Sequence, residues 1–212
     1  MAAPVNVYVD GFNLYFGALK SRPHLKWLDL RKFAETLYQG NPIGTVYYFT
    51  ADIHRQDDFD LGPNRQTAYL KALADSGVQI VKGHFSRREK HLRIVGGQGL
   101  NPELAHVWQF EEKGSDVNLA SYLLRDVYVG GIERALVISG DSDLVNAMKF
   151  ARDSGAHVSL AIPDRNENGS ASLKAAADYV QFVKSSQLEN SQFPKAIKIG
   201  SGRELVRPKE WT

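Results

Sequence analysis

Short apolar runs along the chain alternate with longer stretches of helical period. Residues 5–9 read as a buried strand that ends at Asp10-Gly11. An apolar helical stretch over 14–19 follows, then a second helix over 31–38 that stops at Gly40-Asn41-Pro42. Residues 46–49 predict a second strand, 52–66 a long polar loop, 65–74 a helix ended by Ser76-Gly77, and 78–81 a third strand.

From 82 to 110 the pattern is less regular. Strand-like runs at 91–95 and 105–110 flank Gly96-Gly97-Gln98-Gly99, which predicts an antiparallel hairpin inserted at one edge, around 82–110. Gly114-Ser115-Asp116 opens an amphipathic helix to 129, with Val117, Ala120, Leu123, Leu124 and Val127 on one face. Residues 135–139 form the clearest buried strand, and Gly140-Asp141-Ser142-Asp143 turns it into a helix over 144–152. A strand at 158–162, a helix at 170–177 and an apolar run at 179–183 complete the series. Strands alternating with helices imply right-handed crossovers and an α/β fold with a mostly parallel sheet. Beyond Ser185 the periodicity fades, so residues 1–185 are expected to form the domain and 186–212 a basic, loosely held tail.

Composition narrows the classes. With 212 residues, 43% hydrophobic and 24% charged, the chain can bury one sizeable core, and wholesale disorder is excluded. The absence of cysteine rules out a disulfide scaffold, thiolate zinc sites and a cysteine nucleophile. No apolar run approaches the ~18 residues of a membrane span, and the start lacks a basic segment followed by an apolar one. The expectation is a soluble cytoplasmic protein with no membrane partner. The net charge of +2 is uneven: residues 184–212 hold six basic and three acidic side chains, +3, which leaves −1 on the remainder. A basic tail suits a polyanionic partner.

The acids then carry the chemistry. Asp10 falls just past the C-terminal end of the first strand, and Asp141 and Asp143 just past that of the 135–139 strand. In an open parallel sheet, ligands gather at those ends. Asp116 starts the helix that precedes the second of these strands. If the two strands are neighbours, the carboxylates converge and would repel one another, which a divalent cation resolves. Carboxylate and water ligation selects Mg²⁺ or Mn²⁺, and activation of water for phosphate chemistry is the natural use. For each acid alone a plainer role stays open: Asp116, Asp141 and Asp143 also sit where helices begin, and Asp10-Gly11 could be a simple turn.

Other chemistries fare worse. The six histidines show no metal-ligand spacing. Leu144 occupies the place where a nucleophile elbow needs glycine, and no phosphate-cradling G-x-x-x-x-G-K-[ST] loop occurs. The 82–93 segment interleaves Lys82, Arg87, Arg88, Lys90 and Arg93, against the single acid Glu89, with Phe85 and two histidines, a composition that suits backbone phosphates and a stacking residue, or a solvated hairpin face. Lys113, three residues before Asp116, is expected to reach a phosphate near the metal.

Three blocks now stand together: Val7-Tyr8-Val9-Asp10-Gly11-Phe12-Asn13-Leu14, Glu112-Lys113-Gly114-Ser115-Asp116-Val117, and Val137-Ile138-Ser139-Gly140-Asp141-Ser142-Asp143-Leu144. In this order they resemble the signature blocks of the NYN domain family, most closely its LabA-like branch, within the PIN-like nuclease superfamily. Residues 172–180 resemble that branch's closing block. The resemblance implies a three-layer α/β/α sandwich whose acidic pocket binds Mg²⁺ or Mn²⁺ and hydrolyses RNA as an endoribonuclease, leaving 5′-phosphate and 3′-hydroxyl ends. By position, Asp10, Asp116, Asp141 and Asp143 would ligate the metal. Asn13 would orient Asp10 or the scissile phosphate, and Ser139 or Ser142 would support the acids.

Two rivals remain. A haloacid-dehalogenase-like phosphatase also places paired acids after a strand. Its nucleophile motif, however, needs an acid and a hydroxyl where this chain has Phe12 and Leu14. A non-catalytic RNA-binding or regulatory module is compatible with every residue named. The hairpin and tail also leave room for a homodimer.

Overall fold

The computed structural model describes residues 2–53, 61–95, 104–164, 169–200 and 202–212. In chain order the elements are β1 (Val5–Asp10), α1 (Gly11–Leu14) continued by a π-helical turn (Tyr15–Leu19), α2 (Leu30–Leu37), β2 (Ile43–Thr50), α3 (Gly62–Asp75) and β3 (Gln79–Lys82). Then come β4 (His84–Arg93), β5 (Leu104–Lys113), α4 (Ser115–Tyr128), β6 (Arg134–Ile138), α5 (Val145–Asp153), β7 (His157–Ile162), α6 (Ala171–Ala175) and β8 (Tyr179–Phe182). The chain closes with α7 (Ser185–Glu189), β9 (Ala196–Lys198) and β10 (Glu204–Val206).

The central sheet has six strands in the order β3-β2-β1-β6-β7-β8, and every neighbouring pair is parallel. The chain winds outward from β1 in one direction and from β6 in the other, so the order reverses between these two strands. Strand alternation divides the core. Val5, Val7 and Val9 of β1 face α2 and α3, together with Val46, Tyr48, Leu136 and Ile138. Tyr8 faces the opposite layer of α4, α5 and α6, together with Tyr47, Phe49, Ala135 and Val137. Both sheet faces are covered, which explains the near-continuous apolar runs in β1, β6 and β7. The three-layer α/β/α sandwich matches the expectation. No helix among the described residues is long and apolar enough to cross a membrane.

Parity also fixes the site. Asp10 lies two residues beyond Tyr8 and Ser139 two beyond Val137, so both belong to the face that α4 covers. The register of α4 is pinned farther along. The Tyr8 hydroxyl donates to Asp126 Oδ2 at 2.8 Å, and the Arg125 Nε donates to Asp126 Oδ1 at 2.9 Å. Of the predicted apolar face of α4, Leu123 and Val127 are buried beside Leu119, while Val117 is exposed.

Two local differences from the sequence reading concern where elements begin. The helix expected over 14–19 begins at Gly11 and widens into a π-turn, where Gly17 packs so closely on Pro163 that a Cβ would overlap its carbonyl oxygen. The hairpin is a separate two-stranded ribbon that leaves the sheet at its β3 edge, with ten residue pairs from His84↔Lys113 to Arg93↔Leu104. It starts seven residues before the predicted strand at 91, because its base alternates aromatic with charged or polar residues rather than aliphatic with polar ones. The predicted turn at 96–99 lies outside the described residues.

The expectation of a loosely held tail over 186–212 is corrected. Leu188 and Phe193 are buried in the α2/α3 core, and Ile197, Leu205 and Trp211 pack against it. Backbone bonds join Phe193 N–H to Trp27 C=O at 2.9 Å and Asp29 N–H to Ser191 C=O at 2.8 Å, while Trp27 Nε1–H donates to Pro194 C=O at 2.9 Å. These anchors are single apolar residues spaced too irregularly to register as a period. Phe193→Ala should therefore cost about 3 kcal/mol in urea-denaturation stability. A loosely held tail would leave the midpoint unchanged.

Candidate metal and active site

Asp10 is only 2% exposed, and the fold supplies the donors that make its burial tolerable. It caps α1: its Oδ1 accepts the Asn13 backbone N–H at 2.9 Å, and its Oδ2 accepts Asn13 Nδ2–H at 2.9 Å and the Ser139 hydroxyl at 2.8 Å. Burial pushes its carboxyl above the usual carboxylate range, these donors oppose the rise, and Asp141 adds to it. Gly11 is required beside it, since a Cβ there would lie 2.7 Å from both the Tyr48 ring and the Phe49 carbonyl oxygen.

Ser139 is fully buried and relays the link onward: its Oγ accepts the Asp141 backbone N–H at 3.0 Å. Asn13 Oδ1 accepts the Gly140 N–H at 3.1 Å, so one amide side chain staples the end of β1 to the end of β6. Asp141 in turn caps the 3₁₀ turn Ser142–Leu144 through the Asp143 N–H at 2.9 Å. The capping role and the clustering role therefore coexist in the same carboxylate.

Asp116 comes from the first turn of α4, which begins after Gly114 at a φ of 99° that favours glycine. Glu112 fixes this start, accepting the Ser115 N–H at 3.0 Å and the Ser115 hydroxyl at 2.7 Å. Asp116 is pushed up to about 6, first by burial and then by the charges of Asp10, Asp141, Glu112 and Asp143. Burial leads that rise, and the crowded negative charge of four neighbouring acids adds to it.

Asp10, Asp116 and Asp141 each offer an oxygen, and the three oxygens lie within 4.8 Å of one another. Opposed ligands of an ion with ~2.1 Å bonds lie ~4.2 Å apart, so small side-chain rotations would close this set on a divalent cation. The donor set fits: three hard carboxylate oxygens at the switch point of a parallel sheet.

The other predicted residues separate. Asp143 is exposed and stands outside the three-oxygen group, acting through its N–H and its charge. Asn13 and Ser139 hold Asp10 as expected, whereas Ser142 is exposed on the 3₁₀ turn and is not among the groups that hold the acids. Lys113 pairs with Glu111 at 2.7 Å, on the ribbon face opposite Glu112, so it turns away from the acids. Lys113 foremost, and then Lys90 and Arg88 on the same outer face, hold the Glu111 carboxyl below its usual range. Arg87 lies on the inner face with Glu112.

Sequence reasoning assigned no role to Glu112 or to Phe12, whose ring meets Phe85 at 5.9 Å and joins the ribbon's inner face to α1. For Glu112 a signal existed, an acid two residues ahead of the glycine that opens an Asp-bearing helix. For Phe12 none did, since its partner is 73 residues away in the chain.

Comparison with known proteins follows from this geometry. Residues 4–186 match the NYN domain. A protein of Pseudomonas putida named 6-hydroxy-3-succinoylpyridine 3-monooxygenase HspA is 27% identical over 237 aligned positions, spanning 97% of this chain and 74% of the relative. A solved structure of a protein of unknown function from Vibrio parahaemolyticus superposes with a TM-score of 0.57 at 14% identity, covering 91% of this chain and 97% of that one. That likeness is one of fold.

The crowding gives a prediction whose sign is fixed. Asp116 holds its proton more tightly folded than unfolded, so without metal it favours folding at low pH, and this contribution is lost as pH rises from 3.8 to about 6. In EDTA at pH 7, Asp116→Asn should raise Tm by a few degrees, on the order of 2–4 °C per kcal/mol of repulsion relieved. Mn²⁺ should raise the Tm of the unmutated protein at pH 7, less so at pH 5, and leave that of Asp116→Asn nearly unmoved.

Proposed function

The chain belongs to the NYN domain family, and from that membership we propose that it is a metal-dependent endoribonuclease of the family's LabA-like branch, acting on cytoplasmic RNA. The observation that carries the reading is the convergence of Asp10, Asp116 and Asp141 within 4.8 Å at the ends of β1 and β6 and the start of α4. Membership in a family with a PIN-like nuclease fold supports hydrolysis of a nucleic acid as the use of that cluster.

Asp10, Asp116 and Asp141 would hold the cation. A divalent cation supplies charge that acidifies water and offsets the negative phosphate during attack at phosphorus. Ser139 and Asn13 keep the Asp10 carboxylate aimed, and by donating to it they oppose the rise in proton affinity that burial imposes. Glu112 anchors the first turn of α4 and so sets the position of Asp116. Asp143 adds negative charge at the rim, which strengthens the field on a bound cation without requiring direct ligation. The products are a 5′-phosphate and a 3′-hydroxyl.

The Pseudomonas relative's name supports a second reading, oxygenation of a hydroxypyridine, at 27% identity over nearly the whole chain. One experiment separates the two. Labelled RNAs are incubated with Mg²⁺, Mn²⁺ or EDTA, alongside 6-hydroxy-3-succinoylpyridine with a nicotinamide reductant and oxygen. The nuclease reading expects RNA cleavage that requires metal and falls at least ~100-fold in Asp141→Asn. Ser139→Ala should lose ~10–100-fold in activity or metal affinity. Pyridine turnover without RNA cleavage would overturn the nuclease reading in favour of the oxygenase. Undamaged RNA retained by both proteins would leave a binding module.

A further inference from the structure

The ribbon exposes two large aromatics side by side, Trp108 at 50% and Phe110 at 53%. Both lie on the inner face, the one that carries Glu112 toward the acids. The Arg87 guanidinium stacks 3.7 Å from the Trp108 ring centroid and 5.8 Å from that of Phe110. One step farther out, His91 and His106 stack at 4.5 Å with planes 4° apart. At the base, Phe85 meets Phe12, two residues from Asp10. Flat side chains thus recur from the acidic centre outward along the ribbon, with Glu89 paired opposite Trp108 and 3.2 Å from His106 Nε2. The four-residue step from Glu112 to Trp108 alone covers about 13 Å.

We propose that this inner ribbon face is a binding arm on which unpaired bases of the RNA strand stack, with Trp108, Arg87 and Phe110 as the platform. The identity of the polymer rests on the nuclease reading given above. Bases stack on aromatic and guanidinium planes with little regard to sequence, and only unpaired bases expose a face to do so. The Arg87 guanidinium on Trp108 offers a flat cationic surface that suits a base and its phosphate together. A second copy of the chain is a poorer occupant. The ribbon strands carry charges along their length, among them Arg88, Lys90, Arg93 and Lys113, a feature that discourages edge-to-edge strand pairing.

The test is binding in EDTA, where no metal is available for cutting, with labelled oligouridylate and a duplex RNA of matched length as probes. Trp108→Ala should weaken oligouridylate binding roughly 5- to 150-fold. Trp108→Phe, which keeps a π face, should retain most of the affinity. Arg88→Ala, on the outer face, should lose only the small salt-dependent share of one charge. Because Trp27 is buried and Trp211 packs on the core, oligouridylate should quench tryptophan fluorescence in the unmutated protein and not in Trp108→Ala, while duplex should quench neither.

Unchanged binding in Trp108→Ala, or equal losses in Trp108→Ala and Arg88→Ala, would overturn the arm. So would a dimer in sedimentation that Trp108→Ala dissolves, which would give the face to a second copy. The two readings fail separately. Absent cleavage with Trp108-dependent binding removes the nuclease and keeps the arm, whereas Asp141-dependent cleavage with Trp108-independent binding removes only the arm.

Discussion

Asp10 is held from two strands at once, and the site follows from that. Its carboxylate leaves β1 and accepts the hydroxyl of Ser139 at the end of β6, across a sequence separation of 129 residues. A buried carboxylate is expensive without donors, and here Ser139 and two groups of Asn13 supply them. The same donors tie β1 to β6 where the strand order reverses, so the tether that makes the acid tolerable also defines the crevice. Asp141 and Asp116 can then be placed against Asp10 despite like-charge repulsion, because neither backbone is free to retreat. Asp116 carries a raised proton affinity, first from burial and then from these neighbouring charges.

This dependence explains why so much of the site was legible. Asp10 and Asp141 ended apolar runs, which is where a parallel sheet delivers its ligands, and Ser139 sat at the parity that faces α4. Asp143 was equally conspicuous in the sequence, but a turn of 3₁₀ geometry directs its N–H inward to Asp141 and leaves the residue exposed. Spacing along a chain cannot separate two acids in one turn by direction. The ribbon was legible as a basic segment and not as two faces, because its alternation is between aromatic and charged residues rather than apolar and polar ones. Pairing across the strands sets Arg87 opposite Phe110, from where it reaches diagonally over Trp108, and it consigns Lys113, Lys90 and Arg88 to Glu111 on the far side.

The C-terminal segment was misjudged for a related reason. Periodicity detects elements that bury a stripe, whereas Leu188, Phe193 and Trp211 each fill a separate place in a core already built by α2 and α3. Such residues act as plugs. Their sequence signal is a lone large apolar side chain among polar ones, which is also what an exposed tail looks like.

The acids and the ribbon also belong together electrostatically. Three carboxylates within 4.8 Å repel a phosphodiester until a cation offsets them, so the centre by itself attracts no polyanion. On the proposed nuclease reading, affinity for RNA would come from groups that do not depend on that cation. Stacking on Trp108 and Phe110 meets the requirement, since it draws on the base and is little affected by the field of the acids. On the outer face, the positive charges of Arg88, Lys90 and Lys113 gather around Glu111. The inner face presents Arg87 stacked on Trp108, with Glu89 and Arg93 on the same face farther along the ribbon.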